Sequence, residues 1–319
     1  MRNIYRILAL SCACFSFVSC AKSSNTIKTS LIIPSGAPTL AAYKILTNSD
    51  AFDAEVRSDA TTIPAEFSLG NANFIVFDSI NGSNILSKQG ENAKYEYVKM
   101  LTGGNFHLLA FNKDTIDIKD EDVVYGFMSN STPGKLFRAI YGEIGFDQNF
   151  DGVSGVRDSL LQMNENYEVN GVKVDYAVVA EPVSTAIKSK LSAKNLKITD
   201  INLQSKFNEV KEEWKLDYIC QACLFVNKEF KNSNPNEYSA FMSEINTGIS
   251  SLFTSLDTVI ATFEEKFEDD ASFTSKFGFA KTLVKGVQGE NSSKNGFGIV
   301  PNEVEIGVED ITTFSSLLY

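Results

Sequence analysis

Residues 174–187, VDYAVVAEPVSTAI, decide how the rest of the chain is read. Tyr176 to Ala180 is a short apolar run built around Val178 and Val179, the composition of a strand buried on both faces. Pro182 ends it, and from Val183 the residues Val183, Ala186, Ile187 and Leu191 recur at helical spacing. A strand feeding a helix through so short a turn is half of a βαβ unit. The stretch therefore predicts an α/β fold whose sheets are mainly parallel and flanked by helices. Glu181 stands at the turn, with Pro182 fixing the direction in which the chain leaves it. That is the carboxyl end of a parallel strand, where open α/β sheets bind their ligands.

Three other stretches repeat the pattern. Leu31-Ile32-Ile33 runs into Pro34-Ser35-Gly36-Ala37, with Pro38 placed in a first helical turn, where its missing N–H costs nothing. Phe74 to Phe77 runs into Asp78-Ser79-Ile80-Asn81, and the strand VVYGFM (123–128) runs into Ser129-Asn130-Ser131-Thr132-Pro133. Leu136, Phe137, Ile140 and Tyr141 then share one helical face. Ser35, Gly36, Asp78, Ser79, Asn81, Ser129, Asn130, Ser131, Thr132 and Glu181 all fall at such strand ends and form the candidate ligand-binding set. Each has a competing structural role. Ser129, Ser131 and Thr132 suit helix caps, Asp78 suits a turn, and Glu181 suits a salt bridge.

The remaining chemistry is sparse. His107, the single histidine, lies inside the apolar strand FHLLAF (106–111) and reads as a packed core or interface residue, because a lone His has no partners for a metal site. Asp147, Asn149, Asp151 and Asp158 follow calcium-loop spacing, but the last ligand should be Glu and the flanks should be helices, so the stretch reads as an ordinary acidic turn. No G-x-S-x-G, H-E-x-x-H or P-loop sequence is present, and neither catalysis, a cofactor nor a metal is expected. Cys220 and Cys223 lie in a strand-like run, where positions i and i+3 point to opposite faces, so they are expected as buried free thiols.

The first nineteen residues carry Arg2 and Arg6 and then an apolar run from Ile7 to Val18, the pattern of an export signal. Phe17-Val18-Ser19-Cys20 resembles the lipobox of bacterial lipoproteins. That resemblance implies lipidation of Cys20, stable membrane anchoring by its acyl chains and a tether over residues 20–27. Nothing later in the chain is long and apolar enough to cross a bilayer. Loss of the signal takes the net charge from −11 to −13, because both arginines leave and no acid does. Nucleic acid is excluded as a partner for so acidic a body.

Taken in order, these features resemble the solute-binding proteins of ABC importers. They are PSGAP at 34–38, the strand and Asn turn at 74–84, SNSTPGKLFRAI at 129–140, VDYAVVAEP at 174–182, Trp214, CLFVNKEF and an Asn-Pro-x-x-Tyr helix start at 234–238. The resemblance is to the type 2 periplasmic-binding-protein fold, in the subgroup that binds nitrate, sulfonates, taurine or thiamine-pyrimidine precursors. It implies a monomer of two lobes. Residues 28–114 and 223–319 would form lobe one and residues 115–222 lobe two, with hinges at 112–115 and 220–226. A small solute lies between the lobes, and a membrane permease with its ATPase is the partner. Two alternatives stand beside it: an anchored surface lipoprotein that kept the fold, or an enzyme like thiamine-pyrimidine synthase, whose cysteine-rich motif and histidines this chain lacks. Asp78 and Glu181 would repel a sulfonate or nitrate. The expected solute is neutral or cationic with N–H or O–H donors, such as an amino-pyrimidine or vitamin precursor, with Tyr43, Phe77, Tyr125 or Phe297 available to stack on a flat ring.

Overall fold

The computed structural model describes residues 28–126, 131–142, 150–152, 156–288 and 296–319. Cys20, Ser129, Asn130 and most of the acidic stretch from Asp147 lie outside the described residues. The chain forms two five-stranded sheets, each flanked by helices. The first contains β1 (Thr29–Pro34), β2 (Phe52–Arg57), β3 (Phe74–Asp78), β4 (Tyr95–Gly103) and β12 (Cys220–Asn227), in the order β2-β1-β3-β12-β4. The second contains β5 (Phe106–Phe111), β6 (Val124–Gly126), β7 (Phe150–Gly152), β10 (Tyr176–Ala180) and β11 (Ile198–Asn202), in the order β11-β5-β10-β6-β7. A small hairpin of β8 (Glu168–Val169) and β9 (Val172–Lys173) stands apart.

The two sheets repeat one plan. β1 pairs parallel with β2 and β3, and β6 pairs parallel with β7 and β10. One inner strand of each sheet, β12 in the first and β5 in the second, runs antiparallel to both its neighbours, and each is delivered by the chain arriving from the other sheet. β5 follows β4 after only Gly104 and Asn105, and β12 is reached from β11 through residues 203–219. The exchange corrects one detail of the sequence reading. FHLLAF belongs to the second sheet, paired antiparallel with β10 and β11, so the first crossing lies at Gly104–Asn105 and not at 112–115. Likewise Cys220 to Val226 lies within β12 of the first sheet, not in a connection.

Continuous apolar runs become strands covered on both faces, as their lack of alternation requires. In β3, Phe74 to Phe77 are all buried, and in β10 Tyr176 to Val179 are fully so. Successive side chains in a strand feed opposite clusters. Phe225 joins a core shared by both sheets, with Phe77, Leu108, Phe137 and Tyr176, whereas Leu224 and Val226 join the outer core of the first sheet. Register shifts between Cys220, Ala222 and Cys223 break this alternation. Both cysteines therefore reach the shared core, contrary to the opposite faces expected of a regular strand. They are nonetheless free and buried.

Three segments meet where the chain crosses. Gly103 N–H donates to Gly298 O at 2.7 Å, Asn105 Nδ2 donates to Phe297 O at 2.9 Å, and the side-chain amide of Gln221 bonds Asn105 Oδ1. Gly298 has φ 63°, and a Cβ there would stand 2.2 Å from Gly103 O, so only glycine fits. The C-terminal helix Val308–Leu317 packs on the Ser79–Gln89 helix of the first lobe. Its Phe314 meets Phe207 of the second lobe at 5.5 Å and Trp214 at 5.4 Å. That helix clasps both halves from one side.

Candidate functional site

Each third strand ends in a carboxylate followed by a helix. After β3, Asp78 Oδ1 accepts the N–H of Asn81 at 2.8 Å, capping the Ser79–Gln89 helix. After β10, Glu181 Oε2 accepts the N–H of Thr185 at 3.0 Å and Oε1 accepts the Thr185 hydroxyl at 3.0 Å, within the first turn of the Val183–Ser192 helix. Free N–H groups at a helix start attract an acceptor, and the nearest acidic residue supplies it. Both carboxylates thus combine the strand-end position with the capping role.

Asp78 does more than cap. Its Oδ2 accepts the Thr132 hydroxyl at 2.7 Å, and Thr132 opens the Thr132–Tyr141 helix of the other lobe. Two of the residues singled out at strand ends therefore touch across the lobes, although 54 positions separate them. Burial pushes the Asp78 carboxyl above the usual range; the N–H of Asn81, the Thr132 hydroxyl and the charge of Lys135 oppose this without cancelling it. Ser79 beside it is fully buried, and its hydroxyl has no hydrogen-bond partner. Asn81 contributes its backbone, while its side chain is exposed. Ser131 is half-buried, and its carbonyl accepts the N–H of Lys135 at 2.9 Å.

Ser35 and Gly36 sit elsewhere on the first lobe. Ser35 N–H donates to Arg57 O and Gly36 N–H to Phe277 O, both at 3.0 Å. The turn rests on Gly278, where an added Cβ would come 2.6 Å from the Cβ of Ser35. Gly36 needs its φ of 103° and faces open space on its Cα side.

Glu181 lies beside the crossing, its N–H donating to Asn105 O at 2.9 Å. Its buried carboxylate faces His107 Nε2 at 3.7 Å and Lys188 Nζ at 3.8 Å. His107 Nδ1 in turn lies 2.8 Å from Asp200 Oδ1, and Asp200 also pairs with Lys188. Burial pushes the Asp200 carboxyl up, but His107 and Lys188 together outweigh this and hold it below the usual range. The histidine thus belongs to a polar cluster, which a strand-by-strand reading misses because its two carboxylate partners, Glu181 and Asp200, come from separate parts of the chain. Asn105 and Gln221 were equally invisible; an isolated amide carries no signal until two crossings bring a pair together.

The four aromatic residues suggested for stacking are committed to cores. Tyr43 packs edge-on to Phe263 at 5.5 Å, Phe297 packs on Phe279 at 5.2 Å, Phe77 packs on Phe67 at 6.0 Å, and Tyr125 is buried in the outer core of the second sheet. Two open grooves are walled by one lobe each. One of about 600 Å³ runs past Tyr141, Asp200, Asn202 and Ser205, and one of about 440 Å³ runs past Tyr43, Lys44 and Glu244. The lobes touch at Asp78 and Thr132. Among the described residues no helix is long and apolar enough to cross a membrane, and no cluster of His, Cys, Asp and Glu with metal-binding geometry occurs.

Two sheets exchanging one strand each, with helix starts opposed at their junction, define the two-lobed type 2 periplasmic-binding-protein fold. Solved structures bear this out. An ABC transporter protein from Parabacteroides distasonis matches with a TM-score of 0.61 at 15% identity, over 91% of each chain. The periplasmic aliphatic sulphonate binding protein SsuA from Escherichia coli matches with a TM-score of 0.61 at 9% identity, over 91% of this chain and 85% of its own. The ligand binding component of an ABC-type import system from Staphylococcus aureus, a structure with zinc bound, matches with a TM-score of 0.58 at 9% identity, over 91% and 90%. No protein-family profile and no curated protein sequence matches the chain.

Proposed function

We propose that the chain is the solute-binding component of an ABC importer, capturing a small molecule between its lobes and presenting it to a membrane permease. The observation that carries this reading is the contact of opposed helix starts, Asp78 on one lobe with Thr132 on the other, at a junction crossed by β5 and β12. Lobes joined by such crossings can part and close about a hinge, and closure around a guest is what a permease can read. The likeness to transporter proteins supports the same reading. The signal-like N-terminus and Cys20 support a protein that is exported and held outside the cytoplasm on a bacterial membrane by lipid.

The solute is neutral or cationic and offers N–H or O–H donors, a small nitrogen heterocycle being the type. Asp78 and Glu181 bring negative charge to the strand ends, and the charged groups of Lys188 and Arg57 are already engaged by carboxylates. A thermal-shift screen over amines, heterocycles and sulfonates tests it, since a ligand that favours the folded state raises its apparent stability. One compound of the first two kinds should bind one to one and raise the melting temperature. Stabilisation by sulfonates alone overturns the assignment of solute class. Turnover of a bound compound overturns the transport reading in favour of an enzyme.

A further inference from the structure

The Ser79–Gln89 and Thr132–Tyr141 helices point their N-termini at the same place, one from each lobe. Such ends carry positive partial charge and unpaired N–H groups and draw in an anion. Here the chain has supplied its own. Asp78 fills the first helix start through Asn81 N–H and reaches the second through the Thr132 hydroxyl, at 2.8 and 2.7 Å. Thr132 is almost wholly buried, so the bond is sheltered from water. The unpartnered, fully buried hydroxyl of Ser79 lies at the same helix start. Lys135, one turn along from Thr132, is turned to the far end of the chain, its Nζ 2.6 Å from the Tyr319 hydroxyl.

We infer that Asp78 is a resident anion with two effects: through Thr132 it latches the lobes together with no guest present, and by its charge it turns anionic solutes away from the junction. The second effect rests on the transport reading given above; the latch does not. A second negative group arriving a few ångströms from Asp78 would find the helix start already filled and would meet like charge in a poorly solvated place.

Two substitutions in the full chain separate the effects. Thr132→Val removes the donor and keeps shape and charge. Asp78→Asn removes the charge and keeps a bond, because a hydroxyl both donates and accepts. Without solute, solution scattering should give a larger radius of gyration for Thr132→Val than for the unaltered chain and Asp78→Asn. Methanesulfonate and inorganic sulfate, titrated at constant ionic strength, should bind Asp78→Asn at least tenfold more tightly than the unaltered chain, about 1.4 kcal/mol. Superimposable scattering for Thr132→Val overturns the latch. Equal anion affinity in Asp78→Asn and the unaltered chain, whether weak or strong, overturns the charge effect. Should Asp78→Asn fail to fold, saturable methanesulfonate binding by Thr132→Val overturns the charge effect, and its absence supports it. If no amine, heterocycle or anion stabilises any of the three proteins while Thr132→Val still opens, the transport reading fails and the latch stands.

Discussion

Glu181 takes two hydrogen bonds from Thr185, one from the backbone N–H and one from the hydroxyl, each of 3.0 Å. A strand-end carboxylate aimed at a helix start is first a structural device, whatever else it later touches. Its removal should therefore lower stability in the absence of any solute. Glu181→Ala is expected to cost about 1–2 kcal/mol by urea denaturation, in the range of a lost cap, and to leave His107 and Lys188 without a partner on that side. A variant as stable as the parent would mean that the carboxylate is held for solute alone.

Asp200 gives the chain a pH signature. Its carboxyl titrates below the ordinary carboxylate value because His107 and Lys188 outweigh its burial. A depressed folded value means the unfolded chain binds the proton more readily. The stabilisation is complete above the ordinary value of about 4 and disappears as pH falls through the folded value. The stability gap between the parent and Asp200→Asn should be full at neutral pH and shrink as pH is lowered from about 5 through about 4 and below. A gap constant across that range would remove the cluster as its source.

Phe314 has no exposed surface and meets Phe207 and Trp214 from the C-terminal helix. Phe314→Ala is expected to cost about 3–5 kcal/mol in chemical denaturation, as for other large deletions in a packed core. Because the ring bridges the lobes, the folded fraction should also scatter as a more open particle. Loss of stability with unchanged scattering would confine the ring to core packing.

The two thiols of β12 should be silent in the native state. Burial raises the pKa of both Cys220 and Cys223, so thiolate, the reactive form, is scarce as well as inaccessible. A charged aromatic disulfide reagent should label neither until denaturant is added, and dithiothreitol should leave the melting temperature unchanged. Rapid labelling of one thiol in the folded chain would show that β12 opens locally.

Much of the architecture was legible because it is written in runs. Phe74 to Phe77 and Tyr176 to Val179 are too apolar for a half-exposed strand, and Pro38, Pro133 and Pro182 mark helix entries. Asp78 could be picked out for the same reason, as the polar residue where a run stops, and Thr132 as the last residue of the polar turn between VVYGFM and Pro133. What stayed hidden is whatever depends on which strand lies beside which. FHLLAF reads equally well in either sheet, and only its pairing with β10 and β11 settles the matter. A bulge that turns Cys220 toward the face of Cys223 leaves no mark in composition. The two carboxylates beside His107 come from the residue after β10 and from β11, so no local window contains them.

The exchange of β5 and β12 also constrains how the molecule comes into being. β12 lies between β3 and β4, strands completed more than a hundred residues before it is made. A nascent chain cut anywhere ahead of Cys220 has its first sheet in two pieces with raw edges facing each other, so neither half can mature alone. The first sheet therefore closes only after β12 is made, whereas every strand of the second, from Phe106 to Asn202, is already in hand by then.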